Sequence, residues 1–197
     1  MSDLKLTKCL LDVIEKEIIP KTQIGVSCGN KLFGAAIVRK SDLSLVIAGT
    51  NNETENPLWH GEMQTLKAFY EMPAADRPAP KDCYFLATHE PCSLCLSGIT
   101  WTGFDNFYYL FGYEDTRDAF NIPHDLKILK EVFKIENGEY ARENEFWKSH
   151  DLTHMIKTFD SGARVELENQ VKQIAQTYDE MSAVYQNTKG NADIPLD

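Results

Sequence analysis

The sequence predicts an α/β sandwich in which some of the strands run parallel. Three observations predict it. Short apolar runs alternate with segments of helical periodicity from the amino end to about residue 120. Proline-rich or polar stretches separate these segments, as connections on a protein surface do. Beyond Glu114 the strand signal gives way to helical patterning alone.

Taken in order, residues 4–19 place Leu6, Leu10, Leu11, Val13, Ile14 and Ile18 on one side of a helix, and Pro20 is expected to end it. Phe33–Val38 and Leu45–Ala48 are apolar stretches separated by Arg39-Lys40-Ser41-Asp42, which is a hairpin signal. Asn51–Pro57 is polar and reads as a loop. His60 opens a helical segment running through Met63, Leu66 and Tyr70, and Pro73 closes it. After the loop bearing Pro73, Pro78 and Pro80, Cys83–Thr88 reads as a buried strand. Pro91 suits the first turn of a helix carrying Cys92, Cys95 and Ile99.

Asn106–Phe111 is a further aromatic-rich strand, and helices are expected over Ile122–Phe133 and Glu145–Phe159. In the last helix Leu167, Val171, Ile174, Tyr178, Met181 and Tyr185 form an apolar seam, suited either to packing within the chain or to a dimer contact. The expected organisation is a core over 1–120, a helical extension packed on it over 121–187, and a flexible tail over 188–197.

Composition narrows the function classes. Apolar residues make up 43% and charged residues 25%, as in an ordinary globular protein. No stretch is long and apolar enough to suggest a membrane span, and Met1-Ser2-Asp3-Leu4-Lys5 lacks a signal-peptide core, so a cytoplasmic location is expected. The net charge of −10 repels polyanions on average and weighs against a nucleic-acid partner in favour of a small substrate. The cysteines are Cys9, Cys28, Cys83, Cys92 and Cys95, and five in such a setting disfavour a disulfide framework. Cys9 sits among Leu6, Leu10 and Val13, where burial as a small hydrophobe accounts for it.

The chemistry concentrates in His60-Gly61-Glu62 and Pro91-Cys92-Ser93-Leu94-Cys95. These supply three metal ligands and one carboxylate that need not bind metal. Zinc held by three protein ligands keeps a position for water, which separates a catalytic site from a structural one. Cys92 and Cys95 lie one helical turn apart, and a helix N-terminus favours the thiolates that bind metal. His60 and Glu62 would point to opposite sides of a regular helix. Both reach one site only where the chain is still entering the helix at His60. Zinc lowers the pKa of bound water to about 7, and a nearby carboxylate can carry the proton to a ring nitrogen and a leaving amine.

His-x-Glu followed by Pro-Cys-x-x-Cys is the signature of zinc nucleobase deaminases. Over about residues 5–120 the chain resembles the cytidine deaminase-like superfamily, and within it the branch of cytosine, guanine and tRNA adenosine deaminases. Leu32-Phe33-Gly34-Ala35-Ala36-Ile37-Val38 resembles the Phe-Gly-Ala strand of that branch. Gly49-Thr50-Asn51-Asn52 is similar to its substrate-side loop, and Thr88-His89-Glu90-Pro91-Cys92 to its strand-to-helix junction. The resemblance implies a three-layer α-β-α sandwich with a mixed central sheet, and one Zn2+ per chain on His60, Cys92 and Cys95. It implies Glu62 as the proton shuttle and a homodimer. It also implies substrate contacts from Phe33, Asn51 (or Asn52), Gly61, the segment around Glu90, and Trp101, which fits core packing equally well. Asp115 and Asp118, in the stretch after the last core strand, are candidates for reading a base amino group, although each also fits a solvated loop carboxylate.

The expected reaction is hydrolytic deamination of a free nucleobase or similar small heterocycle, of guanine or cytosine type, with water as co-substrate and ammonia as product. Deamination of adenosine within tRNA uses the same chemistry but needs a basic groove. A non-catalytic structural zinc module needs a fourth protein ligand, for which His89 or Cys83 would serve.

Overall fold

The computed structural model describes residues 3–190 and 192–196. Its centre is a five-stranded sheet in the order β2-β1-β3-β4-β5. These strands are β1 (Gly34–Arg39), β2 (Leu45–Thr50), β3 (Cys83–His89), β4 (Asn106–Phe111) and β5 (Lys148–Asp151). The β1–β2 hairpin is antiparallel, and β1 also pairs antiparallel with β3, aligning Ala35 with Ala87. β3–β4 and β4–β5 are parallel, with Leu86 opposite Tyr108 and Asn106 opposite Lys148. The sheet is therefore mixed, and alternation along its strands divides the core in two.

One face carries Ala36, Val38, Leu86, Tyr108 and Leu110. It is covered by α1 (Asp3–Val13), α2 (Ile19–Ser27), α7 (Leu152–Lys157) and α8 (Ser161–Thr188). The other carries Ala35, Ile37, Phe85, Phe107 and Tyr109, packed against Leu66 and Phe69 of α3 (Gly61–Glu71) and Leu96 and Ile99 of α4 (Ser93–Trp101). The short α5 (Tyr113–Asp118) and α6 (His124–Phe133) follow β4. Burying each large apolar side chain contributes about 1.5–3 kcal/mol. The α8 seam belongs to this core: Leu167, Ile174, Tyr178, Met181 and Tyr185 are buried within the chain, so it faces inward rather than toward a second copy.

The helix expected to stop at Pro20 continues to Ser27. A π-helical turn over Ile14–Ile18 makes this possible, with the Ile19 N–H donating to the Ile14 carbonyl. The wider turn relieves the clash of the proline ring with the preceding turn and absorbs its missing donor. The helix expected over Glu145–Phe159 is instead strand β5 followed by α7. Lys148-Ser149-His150-Asp151 has no apolar period because it lies at the sheet edge, held by backbone pairing to β4. Trp147, just before it, is a core residue: its ring packs 4.9 Å from that of Phe107 and its Nε1 donates to Thr100. The tail expected to be flexible carries a buried residue, Ile194.

Candidate active site

β1 runs antiparallel to β3, so the start of β1 meets the end of β3 at one end of the sheet's strands. The Gly34 N–H donates to Thr88 Oγ1 at 3.0 Å there. Both α3 and α4 begin there. α3 approaches so closely that a Cβ on Gly61 would lie 2.7 Å from Gly34 Cα and from the Phe33 carbonyl oxygen. Only glycine fits at that contact.

His60 caps α3 with φ −59° and ψ 160°, and Cys92 caps α4 with φ −64° and ψ 171°. His60 thus has the non-helical backbone that lets it share a site with Glu62, two residues on. Pro91 stands just before the cap rather than in the first turn, and Cys95 lies one turn inside. Both helices point their N-termini, with the partial positive charge these carry, at the site.

His60 Nδ1 lies 3.4 Å from Cys92 Sγ and 3.7 Å from Cys95 Sγ, and the two sulfurs are 3.6 Å apart. Tetrahedral zinc with ordinary Zn–S and Zn–N bonds would space its ligands at about 3.8 Å between sulfurs and about 3.6 Å from sulfur to nitrogen. The triangle fits zinc without rearrangement. Among the described residues no fourth His, Cys, Asp or Glu joins it, Cys83 and His89 included. Burial pushes the Cys95 thiol well up, reinforced by Cys92. The Cys92 thiol is held well below its usual range by its hydrogen bond with Cys95 and by His60.

Glu62 is 5% exposed. Burial, reinforced by the Cys92 charge, pushes its pKa up to about 7. It lines a recess of about 20 Å3 with Phe33, His60, His89, Glu90, Cys92 and Asp125. That volume accommodates one water molecule. A larger cavity of about 400 Å3 also borders His60 and Cys92. Its walls are mostly apolar, from Phe33, Pro57, Leu58, Ile122, Ile128, Ile194 and Leu196, with Lys31, Glu53 and Asp125 as ionisable side chains; burial, reinforced by Cys92, pushes the Asp125 carboxyl well up.

The substrate contacts implied by resemblance are only partly gathered here. Phe33 lines both spaces. The Gly61 N–H donates to Asn51 Oδ1 at 2.6 Å, and Asn51 Nδ2 donates to Glu53 Oε2 at 2.7 Å. Asn51 is thereby buried within the wall and does not line the main cavity. The Glu90 carboxylate accepts from Tyr140 Oη at 2.7 Å and Arg142 Nη2 at 2.8 Å, which ties the site to the segment before β5. Trp101, expected at the pocket, is 90% exposed and borders neither space, because it sits at the far end of α4. Asp115 and Asp118 are exposed as well: the first accepts from the Gly112 N–H and the second pairs with Arg117.

The carboxylate that does reach the cavity from beyond β4 is Asp125, in the first turn of α6. Sequence reasoning missed Asp125, Lys31 and Glu53. Each is a single charged residue beside a turn or helix start, with no ligand spacing to single it out.

Residues 14–111 match the model of the cytidine and deoxycytidylate deaminase zinc-binding region, and the chain belongs to the cytidine deaminase-like zinc deaminases. Among solved structures it is similar to NE0047, crystallised as a mutant with 8-azaguanine. The two are 14% identical, with 86% of this chain and 84% of that one covered and a TM-score of 0.54. It is also similar to the guanine deaminase of Bacillus subtilis, at 24% identity, covering 74% of this chain and 82% of that one, with a TM-score of 0.50. At such identities the likeness is one of fold. A comparison with curated protein sequences gives no match. No helix among the described residues is long and apolar enough to cross a membrane.

Proposed function

We propose that the protein is a zinc-dependent aminohydrolase acting on a free nucleobase or close heterocyclic analogue, with guanine and cytosine as the first substrates to assay. One observation carries this reading: a three-ligand metal triangle bordered by an apolar cavity, with a buried carboxyl, Glu62, in the small recess beside His60 and Cys92. Bound zinc would supply an acidified water. Glu62, with its pKa pushed to about 7, is suited to take a proton near neutral pH and to give it back. In this role it protonates the ring nitrogen and then the departing amine. A closed structural site has no use for such a group.

The cavity, about 400 Å3, is of the size that holds small molecules. Phe33, Leu58, Ile122 and Ile128 offer surfaces for a planar ring, and the Asp125 carboxylate can accept hydrogen bonds from ring N–H or amino groups. Guanine presents such donors, and the similar fold of a guanine deaminase supports assaying it first. The net charge of −10 makes adenosine within tRNA the weaker reading. A homodimer is part of the proposal, and sedimentation equilibrium tests it directly.

Ammonia release from a panel of bases and nucleosides, with zinc content verified, tests the reaction. Turnover of one purine or pyrimidine base is the expected result. Inactivity on every member, with one zinc bound per chain, would overturn the small-base assignment.

A further inference from the structure

The imidazole of His60 has two nitrogens on opposite edges, and both face charged partners. Nδ1 looks toward the two sulfurs, while Nε2 lies 3.8 Å from Glu53 Oε1. A ligating imidazole binds metal through one nitrogen and donates the N–H of the other, and a carboxylate acceptor there fixes both tautomer and ring plane. Glu53 itself is held on every side. Lys31 Nζ donates to Oε1 at 2.9 Å, the Lys31 backbone N–H to Oε2 at 3.3 Å, and Asn51 Nδ2 to the same Oε2 at 2.7 Å.

The side chains of Lys31 and Glu53 are 7% and 1% exposed. A buried ion pair of this kind is weak evidence for stability, because desolvation offsets its attraction. It calls for another reason to exist. The same cluster also reaches the backbone next to His60, since Asn51 Oδ1 accepts from the Gly61 N–H at 2.6 Å. The His60 ring thus faces Glu53 and its following peptide is held by Asn51, which in turn donates to Glu53.

We infer that Glu53, anchored by Lys31 and Asn51, is a positioning residue for the metal centre. Its carboxylate, 3.8 Å from His60 Nε2, is placed to take up the Nε2–H when metal binds and so to fix the ring with Nδ1 toward Cys92 and Cys95. The inference rests on His60 being a zinc ligand and is independent of which substrate is deaminated. Lys31 holds Glu53 in place through its Nζ and its backbone N–H, so its contribution to metal binding passes through Glu53.

Zinc affinity, measured by competition with a chromophoric chelator, tests this without any activity assay. Glu53→Gln keeps the shape and the Asn51 hydrogen bond but removes the charge, and is expected to bind zinc about 10–100-fold more weakly. Lys31→Met is expected to weaken zinc in the same direction, and Lys31→Arg to restore it. Cobalt substituted for zinc should show an altered visible spectrum in Glu53→Gln. If that variant folds poorly, the zinc-loaded parent still decides: nitrogen-15 spectra should show His60 metallated at Nδ1, with a slowly exchanging, downfield Nε2–H.

Affinity within twofold of the parent for folded Glu53→Gln, or metallation at Nε2, overturns the inference. A parent that binds no zinc overturns the metal site instead, so the two failures are separable.

Discussion

His60 and Cys92, 32 residues apart in sequence, each cap a helix, and their Nδ1 and Sγ atoms lie 3.4 Å apart. Each has extended-type ψ at the point where the chain turns into its helix, so each side chain projects across the helix end rather than along its flank. The site is therefore the meeting of two helix starts, and its geometry depends on the adjoining ends of β1 and β3 that bring them together.

Glu62→Gln keeps the shape of the side chain and removes its ability to carry a proton. Zinc content and melting temperature are expected to stay near the parent values, while turnover falls by about 10²–10⁴-fold. Metal analysis alongside steady-state rates checks this. Unchanged turnover in a zinc-replete variant rules out Glu62 as the proton carrier.

Removing zinc should weaken the fold as well as the activity. A ligand present at 100 times its dissociation constant stabilises the state it binds by about 2.7 kcal/mol. Scanning calorimetry with and without a chelator is expected to show a lower melting temperature in the chelated sample, restored by added zinc. Identical melting curves would mean that the triangle of His60, Cys92 and Cys95 holds no metal.

His89 should make the protein acid-sensitive. Its ring is buried among Phe33, Phe111, Phe120 and Tyr178, and burial pushes its pKa down from 6.5 to about 3. The unfolded chain then binds the extra proton first as the pH falls. The contribution of His89 is complete above about 6.5 and is lost progressively toward about 3. Urea unfolding at a series of pH values should show this slope in the parent and a shallower one in His89→Leu. The same slope in both proteins would falsify the assignment.

Gly61→Ala inserts a methyl group 2.7 Å from backbone atoms of Phe33 and Gly34, neither of which can swing aside. A loss of about 1–3 kcal/mol is expected, as for other overpacked contacts. Because Gly61 directly follows His60, zinc affinity should fall with it. Denaturant titration combined with metal competition separates the two effects, and a variant as stable as the parent would show that α3 can move away from β1.

The parts of this architecture that announce themselves in sequence are those with a strong period or a distinctive residue. β1, β2, β3 and β4 carry apolar runs, and the entry geometry of His60 follows from its spacing to Glu62. β5 left no trace because its residues are polar and its stability comes from main-chain pairing to β4. Pro20 misled because a π-helical turn accommodates it, and nothing in the local sequence marks such a turn. Asp125, Lys31 and Glu53 were invisible for a different reason. They come from separate segments, and only the folded chain shows that they border one cavity.

Ile194 and Leu196 in the wall of that cavity have a practical bearing on any laboratory preparation. A bulky group attached beside Leu196 would crowd an incoming molecule, because this segment forms part of the cavity wall. Fusions are better placed ahead of α1, whose residues take no part in the cavity wall.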